Sequence, residues 1–236
     1  MSRLLIIRHS ERIDEINLKH WLQLVEQENG TRRREKDDHA NDPILTDNGH
    51  RIATTAAAAL KRRLTDGFFS VSQPQPVAIY CSRLRRCIET AYRISLELQL
   101  PIVVSRGLAL TAKAVDERRG GSDQFGFLNL DEIRSFCPGV DVLSADADDY
   151  SGALCTLSFP LSAPFELDIV PATCWHEALA SIARRQPFSI VVAHRESIRN
   201  IAGKMHAPYC SMAMFDFAED KFSFQYLLDH QGDRIK

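Results

Sequence analysis

The apolar positions of this chain fall into short blocks separated by helical stretches. Leu4-Leu5-Ile6-Ile7 is an unbroken apolar run, cut off by Arg8-His9-Ser10-Glu11-Arg12. A run of that length between polar residues predicts a buried strand. Val77-Ala78-Ile79-Tyr80, Ile102-Val103-Val104 and Phe188 to Ala193 repeat the pattern. Between them the spacing is helical. Thr46-Asp47-Asn48-Gly49 opens an alanine-rich helix through about Leu64, with Thr46 as its cap. Leu84, Ile88, Ala91, Ile94, Ser95 and Leu98 recur at helical steps. Further helices are expected near 17–28, near 130–136, over 173–185, and after His194 to about Lys204. Met212 to Phe217 and Phe222 to Leu228 alternate and predict a terminal hairpin.

Strands alternating with helices predict an α/β fold: a mostly parallel sheet with helices on both faces. Residues 105–170 are less regular and read as a cap or insertion within one domain spanning 1–236. Residues 13–42 read as polar and charged. Their block-alternating run from Thr31 to Asp38 is expected to be a solvated loop.

Composition narrows the partners. A chain of 236 residues, 44% hydrophobic and 25% charged, suits one globular core. A net charge of −2 gives no bulk attraction to nucleic acid or to a membrane, so neither is expected as a partner. The cysteines are scattered without a C-x-x-C pair, which argues against a disulfide framework and against a zinc site. The first apolar run is too short for a signal-peptide core, and no stretch approaches the roughly 20 apolar residues of a membrane span. A reduced, cytoplasmic protein is expected, and a homodimer is left open.

The chemistry gathers where the predicted strands end. The first delivers Arg8, His9 and Arg12, the second Ser82-Arg83-Leu84-Arg85-Arg86, and the fourth His194-Arg195-Glu196-Ser197. Parallel strands point their C-terminal ends the same way, so these loops can converge on one crevice. Guanidiniums beside imidazoles suit a phosphoryl group: arginine binds its oxygens bidentately and histidine can attack phosphorus. A neutral imidazole is a competent nucleophile near pH 7, oriented if its other nitrogen is tied to a backbone carbonyl.

These motifs resemble the histidine phosphatase superfamily, with its phosphoglycerate-mutase-like fold. The resemblance rests on R-H-x-E-R at the first strand end, L-T-x-x-G over Leu45 to Gly49, S-x-L-x-R-x-x-x-T-A over Ser82 to Ala91, and a strand ending in a second histidine. It runs from residue 4 to about 205. More narrowly, Arg8 to Asp14 (RHSERID), Trp21-Leu22-Gln23, Asn41-Asp42-Pro43 and Phe159-Pro160-Leu161-Ser162 are similar to the R-H-G-E-R branch. That branch includes the catalytic domain of the suppressors of T-cell receptor signalling and the ecdysteroid-phosphate phosphatases. These residues hold no UBA or SH3 segment, so an adaptor role is not expected. The resemblance implies a metal-independent phosphoric monoester hydrolase without a cofactor, acting on a phosphorylated small molecule or phosphoprotein. His9 would form a phosphohistidine. Arg8, Arg12 and Arg86 would bind the phosphoryl oxygens, and His194 would donate a hydrogen bond to them.

The sequence departs from the pattern in three places. Ser10 and Arg195 stand where glycine is usual: Ser10 is expected to narrow the site slightly, and Arg195 to add a phosphate ligand or obstruct the pocket. Gly107-Leu108 is followed by Ala109-Leu110, so the branch's acid is missing from that register, and Glu117, then Asp116, is its best substitute. Weak acid assistance favours leaving groups such as phenols, which predicts a preference for aryl phosphates. Glu11 is expected to pair with a pocket arginine. Arg83 and Arg85 read as solvated residues at a helix start. Two alternatives stand beside the hydrolase: a phosphoglycerate mutase, for which only Glu117-Arg118 speaks, and a phosphate-binding interaction module with little turnover.

Overall fold

Leu4 to Ile7 lie at the centre of the molecule because both faces of their strand are covered. In the computed structural model, which describes residues 1–31, 42–69, 75–109, 128–145 and 172–236, this strand is β1 (Ser2–Arg8). The others are β2 (Ile79–Ser82), β3 (Ile102–Ser105), β4 (Val142–Ser144), β5 (Phe188–Ala193), β6 (Met212–Ala218) and β7 (Lys221–Leu228). They form one sheet in the order β4-β3-β2-β5-β1-β6-β7. β4, β3, β2, β5 and β1 pair in parallel, and β6 and β7 add an antiparallel edge.

The helices are α1 (Ile13–Ile16), α2 (Leu18–Thr31), α3 (Asp47–Thr65), α4 (Arg85–Leu98), α5 (Leu130–Phe136), α6 (Ala172–Arg185) and α7 (Arg195–Ala202). Successive strand residues point to opposite faces and so enter different cores. Leu5, Ile7, Ile79, Val104, Ile190 and Val192 pack with Ala53, Leu60, Ile88, Ala91 and Ile133, from α3, α4 and α5. Leu4, Ile6, Tyr80, Val103, Val191 and Ala193 pack with Trp175, Leu179, Ile182 and Ile198, from α6 and α7. This is the expected sheet with helices on both faces. Among the described residues, no helix is long and apolar enough to cross a membrane.

Some local expectations are corrected. The second strand starts at Ile79 rather than Val77, whose side chain is exposed. Within the irregular 105–170 stretch, α5 was expected but β4 was not; three residues are too short a run to stand out from the sequence. The polar stretch 13–42 holds α1 as well as α2. The run Arg32 to Asp38 lies outside the described residues, as do Phe159 to Ser162.

Register decides what meets at the sheet's C-terminal edge. Arg8 lies opposite Ala193 across β1 and β5, and Cys81 lies opposite Val192 across β2 and β5. The residues that follow, His9, Ser82 and His194, therefore emerge side by side, in the crevice where open α/β sheets bind ligands.

Candidate active site

The nucleophile candidate is fixed before any ligand arrives. His9 is buried at the end of β1, and its Nδ1 lies 2.7 Å from the carbonyl of Ser10. A carbonyl only accepts, so Nδ1 carries the hydrogen and Nε2 keeps the lone pair. Burial holds the His9 pKa well below its usual value, and the nearby Arg86 and His194 push it the same way. The imidazole is therefore neutral at physiological pH.

The motif spacings explain how this loop is held. On α4, Arg86 and Thr90 are one turn apart and share a face. Arg86 reaches the pocket, while Thr90 Oγ1 accepts from the Ser10 amide at 3.0 Å and donates to the Arg86 carbonyl at 2.7 Å. On the other side, Thr46 Oγ1 caps α3 by accepting from the Gly49 amide at 2.8 Å. It also donates to Glu11 Oε1 at 2.6 Å. Gly49 packs so close to the Glu11 carbonyl that a β-carbon would collide with it. The glycine of L-T-x-x-G is thus required by contact with the nucleophile loop.

The pocket is small and is lined by Arg8, His9, Arg12, Glu15, Arg86, His194, Arg195 and Glu196. Sequence reasoning had singled out Arg8, His9, Arg12, Arg86 and His194, and the fold brings all five together. Each of the three arginines is oriented by groups within the fold. Arg8 Nη1 donates to the Ala207 carbonyl at 2.8 Å, and its guanidinium lies 4.0 Å above the Tyr209 ring. Arg12 grips Asp14 through Nε and Nη2, at 2.9 and 2.6 Å. Arg86 Nη1 lies 3.4 Å from Asp42 Oδ1, with both side chains fully buried. Burial lowers the pKa of Arg8, and lowers that of Arg86 to about 10 with Arg12 adding to the effect. Both remain cations at neutral pH.

His194 directly follows β5 and stands as the N-cap of α7. Its Nε2 lies 3.1 Å from Ser82 Oγ and 3.7 Å from Cys87 Sγ, and its ring centre is 5.5 Å from that of His9. Burial pushes the Cys87 thiol up to about 12, so it is uncharged beside the imidazole.

Other expectations change. Ser10 does not narrow the pocket: its Oγ turns away and donates to the Gly49 carbonyl at 2.6 Å. Glu11 does not pair with a pocket arginine, because its carboxylate faces the start of α3 and accepts from Thr46 and Asn48. Arg83 and Arg85 are not solvated: both are buried, and the Arg85 amide is held by both oxygens of Asp42 at 2.8 and 3.0 Å. Glu117 and Asp116 lie outside the described residues. Sequence reasoning missed Asp42, Asp14, Glu15 and Tyr209 as supports. The first two sit inside motifs it had noticed, N-D-P and RHSERID, whereas Tyr209, which donates to Glu15, gave no signal. Among the described residues, no group of three or more His, Cys, Asp or Glu side chains could hold a metal ion.

Residues 4–109 match the model of the histidine phosphatase superfamily (branch 1). Comparison with curated proteins finds no match. Among solved structures, the chain is similar to the ecdysone phosphate phosphatase from Bombix mori in complex with tungstate, at 14% identity and TM-score 0.61, covering 95% of this chain and 92% of that one. It is similar to a mycobacterial glucosyl-3-phosphoglycerate phosphatase complexed with VO3, at 18% identity and TM-score 0.53, covering 95% and 98%. It is also similar to Bacillus stearothermophilus YhfR, at 18% identity and TM-score 0.51, covering 95% of each chain. At these identities the likeness is one of fold.

Proposed function

We propose that this chain is a metal-independent phosphomonoesterase of the histidine phosphatase superfamily (branch 1) that works through a phosphohistidine on His9. The observation that carries the reading is the hydrogen bond from His9 Nδ1 to the Ser10 carbonyl, which leaves a neutral Nε2 in a pocket of guanidiniums. Phosphoryl transfer needs in-line positioning and charge neutralisation, and both are supplied by side chains already in place.

The steps follow from that arrangement. Arg8, Arg12 and Arg86 hold the phosphoryl oxygens, and His194 donates to one of them. His9 Nε2 attacks phosphorus. The ester P–O bond breaks, its electron pair leaves with the alcohol oxygen, and that oxygen takes a proton. Nδ1 keeps its hydrogen, so the phosphorylated imidazole is cationic, and the Ser10 carbonyl stabilises it. Water then attacks the same phosphorus, the P–N bond breaks, and inorganic phosphate and neutral His9 are restored.

The substrate is a phosphorylated small molecule or a phosphoprotein, with aryl esters preferred. Supporting the preference, Gly107-Leu108 is followed by Ala109-Leu110, so the branch's acid is missing from that register. A phenolate, with a pKa of about 10, leaves with little proton assistance, whereas an alkoxide does not. Glu117 is the acid this reading assigns for poorer leaving groups.

The test is hydrolysis of p-nitrophenyl phosphate with EDTA present, followed by a comparison of phenyl phosphate with glycerol phosphate. Activity that survives EDTA and vanishes in His9→Ala is expected, with kcat/KM higher for phenyl phosphate. Phosphate binding without hydrolysis would replace this reading with that of a binding module. Equal kcat/KM for the two esters would remove the aryl preference.

A further inference from the structure

We propose that Arg195 is a fourth phosphate-binding guanidinium, so that this pocket grips the phosphoryl group from the β5 side as well as from β1 and α4. The proposal rests on the phosphatase reading and deepens it. Arg195 lines the same pocket as Arg8, Arg12 and Arg86. The pocket is small, so a cation on its wall lies within reach of a bound phosphoryl group.

The electrostatics of the pocket point the same way. Arg195 is the first residue of α7, where the helix dipole disfavours a cation. It is close enough to Arg8 for the two charges to repel. Its counter-charge is slight: Nη2 lies 3.3 Å from Glu196 Oε1, and both side chains are partly open to water. Arg12 and Arg86, by contrast, have carboxylates within the fold, Asp14 and Asp42. The Nε of Arg195 is buried and has no hydrogen-bond partner among the described residues. A buried donor left unmade is unfavourable, and a phosphoryl oxygen would satisfy it while cancelling the repulsion from Arg8. Arg195 is thus poorly placed in the unliganded protein and well placed in a phosphate complex.

The consequence is a pocket tuned to the phosphoryl dianion, with strong retention of the product phosphate. The experiment is calorimetric titration of the full chain with inorganic phosphate at pH 7.5 and fixed ionic strength, comparing wild type, Arg195→Gly and Arg195→Lys. Circular dichroism checks the fold. Arg195→Gly is expected to weaken phosphate binding at least about tenfold, the scale of one charge-assisted hydrogen bond. Arg195→Lys, which keeps the charge but not the fork, should lose less. If the glycine variant does not fold, Arg195→Gln supplies the neutral comparison and should show the same loss. Binding within twofold of wild type in the neutral variant, or tighter binding there, would overturn the proposal and mark Arg195 as an obstruction. Failure of the wild type to bind phosphate at all would strike the phosphatase reading itself, which is a different result.

Discussion

The loops that follow β1 and β5 each carry a histidine into the same pocket, but they are built differently. The β1 loop is tied down on every side. Its histidine is fixed by the Ser10 carbonyl, its amide by Thr90, its serine hydroxyl by Gly49, and its Arg12 by Asp14. The β5 loop turns straight into α7, and its histidine leans on a hydroxyl and a thiol, Ser82 and Cys87. Among the described residues, its arginine pairs with the neighbouring, partly exposed Glu196. A nucleophile must be held in line with phosphorus, where a small displacement is costly to rate. A donor to a phosphoryl oxygen tolerates more freedom. The difference in anchoring therefore matches the difference in the roles proposed for the two histidines.

The sharpest way to break this comparison is to remove each histidine in turn. His9→Ala should reduce kcat by at least about a thousandfold, since it deletes the atom that forms the covalent bond. His194→Ala should cost about a hundredfold, the scale of losing one hydrogen bond to the transition state. Similar losses measured on p-nitrophenyl phosphate would show that the roles are not separated in this way. The pH profile adds to the test. The His9 pKa is depressed by burial and by neighbouring cations, so its neutral form persists as pH falls through its usual value of 6.5. The rate should then show no loss assignable to His9 protonation until well below that pH.

The anchoring of the arginines can be tested through stability. Asp42 and Arg86 form a pair with both side chains fully buried. Asp42→Asn leaves an uncompensated buried guanidinium and should destabilise the fold by about 3 kcal/mol in urea unfolding. Asp14→Asn disrupts a more exposed pair and should cost about 1 kcal/mol. A smaller effect for Asp42 than for Asp14 would refute the ranking by burial.

A pH-dependent effect concerns the strut between α4 and the segment paired with the β1 loop. Glu89 Oε2 accepts from the Leu45 amide at 2.8 Å, and Leu45 bridges Arg12. Burial raises the Glu89 pKa from 4.5 to about 7. The folded state therefore holds a proton that the unfolded chain releases earlier, and stability falls as pH rises through that window. The change is on the order of 2 kcal/mol. Glu89→Gln keeps an acceptor for Leu45 and should flatten this dependence between pH 4.5 and 7 in thermal unfolding. An unchanged slope would place the titration elsewhere.

The strands that carry the pocket, and the cations at their ends, were legible in the order of residues alone. Hydrophobic periodicity is local: Leu4 to Ile7 and Phe188 to Ala193 reveal burial within a few residues, and α4 is legible from steps of three and four. The motif glycine and threonine of L-T-x-x-G were visible as helix-start chemistry, but the contact of Gly49 with the Glu11 carbonyl was not. The folded chain was needed to show that β5 lies between β1 and β2, that Ser10 turns from the pocket, and that Arg83 and Arg85 are buried. It alone paired Asp42 with Arg86, 44 positions away, and set Tyr209 beneath Arg8. The physical reason is that burial of a strand follows from its own residues, whereas the partner of a long charged side chain depends on which distant segments the sheet register brings within a few ångströms.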